Sequence, residues 1–344
     1  MMSALINCQH RKKISIIIPL FNAENYISDC INSIFSQTSD KYELIIINDG
    51  STDSSISKCA DLIRNKKNAC LLQQNNSGPN VARNLGLTYA RGEYVIFIDA
   101  DDIIESNTVE KLLVAIEKYN PDFINYGFDF FENGTNKIMK KSHFSVTSLY
   151  GHQIFCDSLL GKNIAAVCWN KCYKKSIIDE NHLEFIPDKK HGRDTMFTWE
   201  FAYASKSTIF IKDILYHSRC GQKSFSRNFS KTNIESAIDL ALKQYAAFSL
   251  TVPAEGQALL DFAVGRQLRY ILLISAFRSL SFIDFTSGIA LLKDNNLWAV
   301  TTCITKNLVH LGRPKDIIIA SLLRYPYLCW ILARMLLKVN YYPY

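Results

Sequence analysis

Several features are missing from these 344 residues, and each absence removes a class of function. No stretch offers about twenty clean apolar residues, so an ordinary membrane-spanning helix is not expected. Residues 1–13 carry no apolar core ahead of a cleavage site, and no signal peptide is expected. The ten cysteines are irregularly spaced. Cys168 and Cys172 are the nearest pair, and no second pair completes a zinc site. They read as reduced, mostly buried thiols of a cytosolic protein rather than as a disulfide framework. No Gly-x-Gly-x-x-Gly opens the first helix, which speaks against a dinucleotide site. The Walker phosphate loop, Gly-x4-Gly-Lys-Ser/Thr, is absent too.

The composition is that of a folded protein, 48% hydrophobic and 21% charged. The net charge of +7 suits anionic partners such as nucleotides or phospholipid headgroups. The length allows one large domain or two modest ones.

Short apolar, β-branched runs alternate with helical periodicity along the first third of the chain. Strands are expected at residues 14–19, 42–47, 69–73, 94–98 and near 123–126, the first stopped by Pro19. Helices are expected at 23–36, from Gly78-Pro79 to about 90, and at 108–119. Such alternation marks right-handed βαβ units and a mainly parallel sheet, whose ligands bind beyond the carboxyl ends of the strands. Asn22, Asp49, Asp53 and the acids Asp99, Asp101 and Asp102 all fall at such ends. Downstream, Lys137, Lys140, Lys141 and His143 make a basic patch on a hairpin turning at Asn133-Gly134. Residues 208–211 and 214–216 are short strand candidates, and 217–228 reads as a mobile basic loop. Helix patterns dominate after residue 229, at 233–248, 257–276, 285–292 and 300–311. The apolar stretch 317–339, with Arg324, Arg334, Lys338 and Trp330 and interrupted by Pro326, suits a peripheral helix on an anionic membrane surface, or one packed on the protein.

Three carboxylates within four residues, at the end of a core strand, repel one another and are costly to dehydrate. A hard cation, Mg²⁺ or Mn²⁺, relieves both penalties by bridging carboxylates to phosphates. Asp49 and Asp53 can accept hydrogen bonds from a ribose or a base. Arg83, Arg219 and Lys223 can meet phosphates. Together these groups suit a nucleoside diphosphate bearing a transferable group. Transfer would need the diphosphate stabilised and the attacking hydroxyl deprotonated. Asp194, at the start of a helix, is the candidate base, and an N-terminal cap is its alternative reading.

These residues resemble the family-2 glycosyltransferases, inverting enzymes of the GT-A fold. The likeness runs through most of the first 230 positions. Ile16-Ile-Ile-Pro19-Leu-Phe-Asn22 resembles the family's first strand and nucleotide-contacting loop. Ile47-Asn48-Asp49-Gly50-Ser51-Thr52-Asp53 is similar to its second, which implies a base contact for Asp49. Asn76 to Gly86, with Arg83, resembles the segment beneath the donor. Gly92 to Asp102 resembles the Asp-x-Asp signature, which implies contacts from Asp99 and Asp101 to ribose, diphosphate and metal, Asp101 being the direct ligand. Trp169-Asn170-Lys171-Cys-Tyr173 resembles a stretch common in bacterial polysaccharide transferases. Arg193-Asp194 stands where the family usually has Glu-Asp, so Asp194 is the implied base and the acid before it is replaced by a cation. Tyr216 to Arg219 resembles the closing Tyr-x-x-Arg. The processive Gln-x-x-Arg-Trp is missing, which favours single sugar addition.

The expectation is thus an α/β, GT-A-like domain over residues 14–228, after a tail at 1–13 and before a helical region at 229–344. The resemblance implies a nucleotide-diphospho-sugar donor, with a UDP-sugar among the options, and Mg²⁺ or Mn²⁺ as cofactor. It implies a polyprenyl-diphosphate-linked or lipopolysaccharide glycan acceptor, handled peripherally on the cytoplasmic face of a bacterial inner membrane. Nucleic acid is not an expected partner, and a homo-oligomer is left open. A metal-dependent nucleotidyltransferase and a non-catalytic sugar-nucleotide or membrane-binding protein remain the alternatives.

Overall fold

The computed structural model describes residues 13–132, 138–187, 194–220, 231–249, 254–278 and 282–302, with a few isolated positions between 321 and 332. The chain divides into two compact units, one of Met1–Lys189 with Arg193–Gly221 and one of Lys190–Gly192 with Gln222–Tyr344.

The first unit begins with β1 (Ile14–Leu20), α1 (Ile27–Phe35), β2 (Tyr42–Asn48), α2 (Ser55–Ile63), β3 (Ala69–Gln73), α3 (Pro79–Tyr89) and β4 (Tyr94–Phe97). These strands pair in parallel in the order β3-β2-β1-β4. β1 is buried on both faces, which is why it reads as a continuous apolar run rather than an alternating one. Ile16 and Ile18 pack with α1, while Ile17 belongs to the cluster on the other face. In α1 the buried residues Ile27, Cys30, Ile31 and Ile34 follow the spacing of one helical stripe.

Pro19 does not stop the first strand; β1 runs on to Leu20. Its ladder to β4 ends with the Ile98 N–H donating to the Ile17 carbonyl. Pro19 shares the side of Ile17, so its missing N–H falls where no partner strand remains.

β5 (Ile103–Ile104), α4 (Thr108–Tyr119), β6 (Phe123–Glu132), β7 (Ile138–Lys141), β8 (Ser148–Tyr150), α5 (His152–Leu160), β9 (Lys171–Lys174), α6 (Lys175–Glu180), α7 (Asp194–Ala204) and β10 (Ser207–Cys220) complete the unit. The sheet continues β4-β9-β6-β10-β5. β9 is antiparallel to both of its neighbours, whereas β6 and β10 are parallel. The parallel core is therefore extended into a mixed sheet flanked by helices. The two short strand candidates at 208–211 and 214–216 are one strand, β10, with irregular register on either side of Ile214. The bulge brings the Asp213 carbonyl against Gly127, where any side chain would collide. β7 pairs antiparallel with β6 as the expected hairpin; its turn at Asn133-Gly134 lies outside the described residues.

The second unit is helical where described: α8 (Lys231–Phe248), α9 (Ala254–Arg278), α10 (Phe282–Asp294) and α11 (Trp298–Thr302). Among the described residues no helix is long and apolar enough to cross a membrane. Most of 317–339, including Arg324, Pro326, Trp330, Arg334 and Lys338, lies outside them. No disulfide joins the described cysteines.

Candidate active site

The loops that leave β1, β2 and β4 at their carboxyl ends are tied to one another by side chains. Asn22 takes a left-handed backbone (φ 47°), which an Asn tolerates better than most residues. Its Oδ1 accepts from the Thr52 N–H at 2.8 Å, and its own N–H donates to Ser51 Oγ at 3.1 Å. Asp53 accepts from the Glu24 N–H (3.1 Å) and the Ser55 N–H (3.0 Å). Burial pushes the Asp53 carboxyl up, but the bonds from Ser55 and the Glu24 backbone outweigh it and hold the group below its usual range.

Asp49 is buried and its carboxylate accepts three bonds from the protein: Gln74 Nε2 (2.8 Å), the Ser77 N–H (2.7 Å) and the Gly78 N–H (2.8 Å). It thereby fastens the segment before α3 to the end of β2. Gly78 sits at φ 98° in front of Pro79 at the first helical position, a start that suits the fixed φ of proline. Phe21, between Pro19 and Asn22, leaves 46% of its surface exposed on the rim. Sequence reading passed over it; an aromatic directly after a core strand was the signal.

From α3, Arg83 reaches Asp99. Its Nη2 donates to Asp99 Oδ1 at 2.7 Å, Nη1 donates to Asn80 Oδ1 at 3.0 Å, and the guanidinium lies 5.5 Å from the Phe185 ring centroid. The Asp99 N–H donates to Tyr216 Oη at 3.2 Å, and Tyr216 Oη donates to Asp102 Oδ2 at 2.6 Å. Asp102 is buried and also receives the Arg219 N–H at 2.7 Å. Burial, with Asp101 and Asp99 nearby, drives its carboxyl well above the ordinary range. Asp102 thus orders the acidic loop from beneath.

Arg219 donates from Nε to the Asp101 carbonyl (2.8 Å) and from Nη2 to Asp29 (3.2 Å), and packs over Tyr26 and Phe131. Both Arg83 and Arg219 therefore brace the acidic loop within the protein. A guanidinium with several donors in a fixed fork suits such bracing. Lys223 lies outside the described residues, as does Arg193.

Asp101 differs from its neighbours. Its side faces solvent, yet protein atoms crowd it, and that desolvation, together with the Asp99 charge, pushes its carboxyl up to about 6. Its own backbone N–H bonds to it and the Arg219 charge opposes the rise. A raised acid whose side chain no other described side chain bonds, beside a second acid with one oxygen engaged by Arg83, is a donor set that suits a hard divalent cation. Among the described residues no group of three or more His, Cys, Asp or Glu side chains forms a metal site of its own. Asp101 and Asp99 would hold the ion with diphosphate oxygens supplying further ligands.

Asp194 opens α7. Thr198 Oγ1 donates to the Val167 carbonyl (3.5 Å), and Phe197 and Phe201 pack on Tyr173 of β9. This seats the start of α7 beside the acidic loop: Arg83 interacts electrostatically with both Asp99 and Asp194. Burial raises the Asp194 carboxyl, while Arg83 opposes the rise. Arg83 is thus bonded to Asp99 and within electrostatic reach of Asp194, with Asp101 on the acidic loop and Asp49 and Asp53 in the adjoining loops.

Residues 15–181 match the family described as Glycosyl transferase family 2. The chain is 30% identical over 230 residues to the putative glycosyltransferase EpsH of Bacillus subtilis, covering 66% of each sequence. It is 33% identical over 215 residues to the poly(ribitol-phosphate) beta-N-acetylglucosaminyltransferase TarP of Staphylococcus aureus, covering 60% of this chain and 62% of that protein. It thus spans about two thirds or less of the length of these curated relatives. Among solved structures, residues 1-349 of S. aureus TarS in complex with UDP-GlcNAc superpose with a TM-score of 0.68 at 20% identity, over 96% of this chain and 93% of that one. With the sheet order, the acidic loop after β4 and these matches in hand, the chain belongs to glycosyltransferase family 2 and has the GT-A fold.

Proposed function

We propose that the protein transfers a single sugar, with inversion, from a nucleotide-diphospho-sugar to a hydroxyl of a lipid-linked glycan acceptor in surface-polysaccharide synthesis. The observation that carries this reading is the Arg83–Asp99 bond at an acidic, cation-suited loop, with the half-buried Asp194 carboxylate near enough to Arg83 for their charges to interact. In the transfer, the acceptor oxygen bonds to the anomeric carbon as the bond from that carbon to the diphosphate oxygen breaks. The acceptor proton passes to Asp194, and the nucleoside diphosphate departs intact. Burial makes Asp194 a better proton acceptor than an ordinary carboxylate, which its role requires. A divalent ion, Mg²⁺ or Mn²⁺, would neutralise charge developing on the diphosphate.

The tied loops after β1 and β2 form the nucleotide end of the site, with Phe21 offering an exposed ring for a base to stack on. A UDP-sugar is the first donor to test, since the TarS structure holds UDP-GlcNAc. Action at the cytoplasmic membrane face, with the helical unit as a peripheral contact, fits the net charge of +7.

The test is nucleotide release from a panel of nucleotide-sugars with membrane lipid extract, followed by the mass of the lipid product. Asp194→Asn should leave donor binding intact and lower turnover by roughly 10²–10⁴-fold, the usual worth of a general base. Turnover within a few-fold of wild type would sink the assignment. Release of a nucleoside monophosphate would instead identify cleavage between the phosphates.

A further inference from the structure

One histidine of β10 stands between two acids that the reaction described above does not use. The Nδ1 of His217 lies 2.7 Å from Asp129 Oδ1, and its Nε2 lies 2.9 Å from Glu105 Oε1. Asp129 is the register partner of His217 on β6, and Ile103 of β5 is its partner on the other side. A neutral imidazole has one N–H, so it can donate to only one of these carboxylates and turns a lone pair to the other. The imidazolium donates to both, and the geometry at this corner is that of the charged ring. The Asp129 side chain is only 1% exposed, whereas that of Glu105 is 48% exposed. When one proton leaves for solvent, the remaining N–H stays on Asp129, the acid that water reaches least. Glu105 is then the one set free.

Glu105 follows β5, the two-residue strand through which the acidic loop rejoins the sheet. Two register positions pair β5 with β10, and the Glu105 N–H donates to the Leu215 carbonyl at 3.1 Å. The Ile104 N–H donates to Ser33 Oγ at 3.2 Å, and Gln37 Nε2 donates to the Glu105 carbonyl at 2.7 Å. Beside so short a ladder, the His217 bridge is a sizeable part of what fixes the exit of the loop. Of the other charged groups around this corner, Arg219 is turned to Asp29 and the Asp101 carbonyl, and Asp102 accepts from Tyr216 Oη and the Arg219 N–H. On α4, Glu110 accepts from Thr38 Oγ1 and Lys111 pairs with Asp213. Lys141 of β7 stands opposite Asp129 in register.

We propose that His217 is a proton-dependent clasp on the exit of the acidic loop. As the imidazolium it ties Glu105 to Asp129 and holds β5 on β10. On losing the Nε2 proton it releases Glu105 and loosens β5. Histidine is the side chain that ordinarily changes charge near neutral pH, which sets the interval to search. Glu105→Gln separates charge from contact. Its amide can accept from the Nε2–H of the charged ring or donate to the bare Nε2 of the neutral one, so the contact should survive at both ends of that interval.

The test is amide hydrogen exchange by mass spectrometry on the metal-free full chain. Peptides covering residues 103–107 are followed over about pH 5–9 and corrected for intrinsic exchange rates. In wild type, protection should fall by about tenfold as the pH rises, the effect of one charge-assisted bond between partly exposed partners. In E105Q it should stay level. His217→Gln, whose amide can serve Asp129 but not both acids, should show the released, high-pH protection throughout. A level profile in wild type, or the wild-type fall in E105Q, overturns the proposal, and if H217Q does not fold these two proteins decide alone. A second arm rests on the reading of the acidic loop as the donor site. Donor KM for UDP-N-acetylglucosamine at saturating Mn²⁺ should rise over the same interval in wild type and stay level in E105Q. Protection that falls while donor KM stays level would uphold the clasp and count against that reading alone.

Discussion

Tyr216 offers the sharpest test of how the acidic loop is held. Its ring stacks on Trp169, with centroids 4.5 Å apart and planes at 18°, and its hydroxyl bridges the Asp99 N–H and the Asp102 carboxyl. Tyr216→Phe keeps the stack and removes both bonds. The bond to Asp102 contributes about 1.5–3 kcal/mol if its acceptor is charged, and the bond from the Asp99 N–H contributes about 0.5–1.5 kcal/mol. The two bonds sum to about 2–4.5 kcal/mol with Asp102 charged, and the raised Asp102 carboxyl favours the lower part of that range, about 2–3 kcal/mol. At about 2–4 °C per kcal/mol for a unit of this size, the melting temperature should fall by about 5–10 °C. Asp102 would retain the Arg219 N–H, so the loop should loosen rather than collapse.

Tyr94 supplies the control, because it lies at the opposite end of β4 and its hydroxyl donates to the Pro121 carbonyl at 2.8 Å. Tyr94→Phe should also destabilise the protein, but away from the donor loops. Urea unfolding and steady-state kinetics on both variants separate the cases. Y216F should lose stability and raise donor KM or lower kcat by roughly tenfold, as expected for about 1.4 kcal/mol of misplaced acidic loop. Y94F should lose stability alone. Wild-type donor kinetics in Y216F, or equal kinetic damage in Y94F, would show that the hydroxyl bridge does not place the acids.

Asp101→Asn should make the metal-free protein more stable at pH 7 while reducing turnover. The folded-state affinity of Asp101 for its proton is raised, to about 6, so its contribution to stability is present below about pH 4 and is lost as the pH rises through about 6. Thermal melts across pH 4–8 should show this slope in wild type and not in D101N, and Mn²⁺ should raise the melting temperature of wild type only. Gly86→Ala should destabilise by about 1–3 kcal/mol through overpacking, since an added methyl would collide with Ile17 and lie 3.0 Å from Ile47 Cδ1. Chemical denaturation measures it, and a loss under about 0.5 kcal/mol would mean that α3 shifts freely on the sheet.

The elements of the first unit were legible because their signals are local. The buried stripe of α1, the Gly78-Pro79 start of α3 and the apolar run of β1 each follow from neighbours within a few residues. Pro19 misled only about where β1 ends, because whether a missing N–H matters depends on which side still has a partner. The antiparallel insertion of β9 between β4 and β6 could not be read locally. Lys171 to Lys174 carries no period that distinguishes the direction of a strand.

The site shows the same division between residue type and residue job. Acids at strand ends can be recognised from sequence, but how each one is used depends on contacts across many tens of residues. Asp49, Asp99, Asp101 and Asp102 look alike in the chain. One is bonded to the turn before α3, one to Arg83, one to its own backbone N–H and one to Tyr216. Burial and partner number then separate them chemically, leaving Asp101 as the carboxylate that a cation would complete. The arginines follow the same logic in reverse. A buried guanidinium needs several acceptors, and Arg83 and Arg219 find theirs on Asp99, Asn80, Asp29 and the Asp101 carbonyl. Their positive charges hold the acidic loop in shape, so replacing either should disturb the placement of the acids.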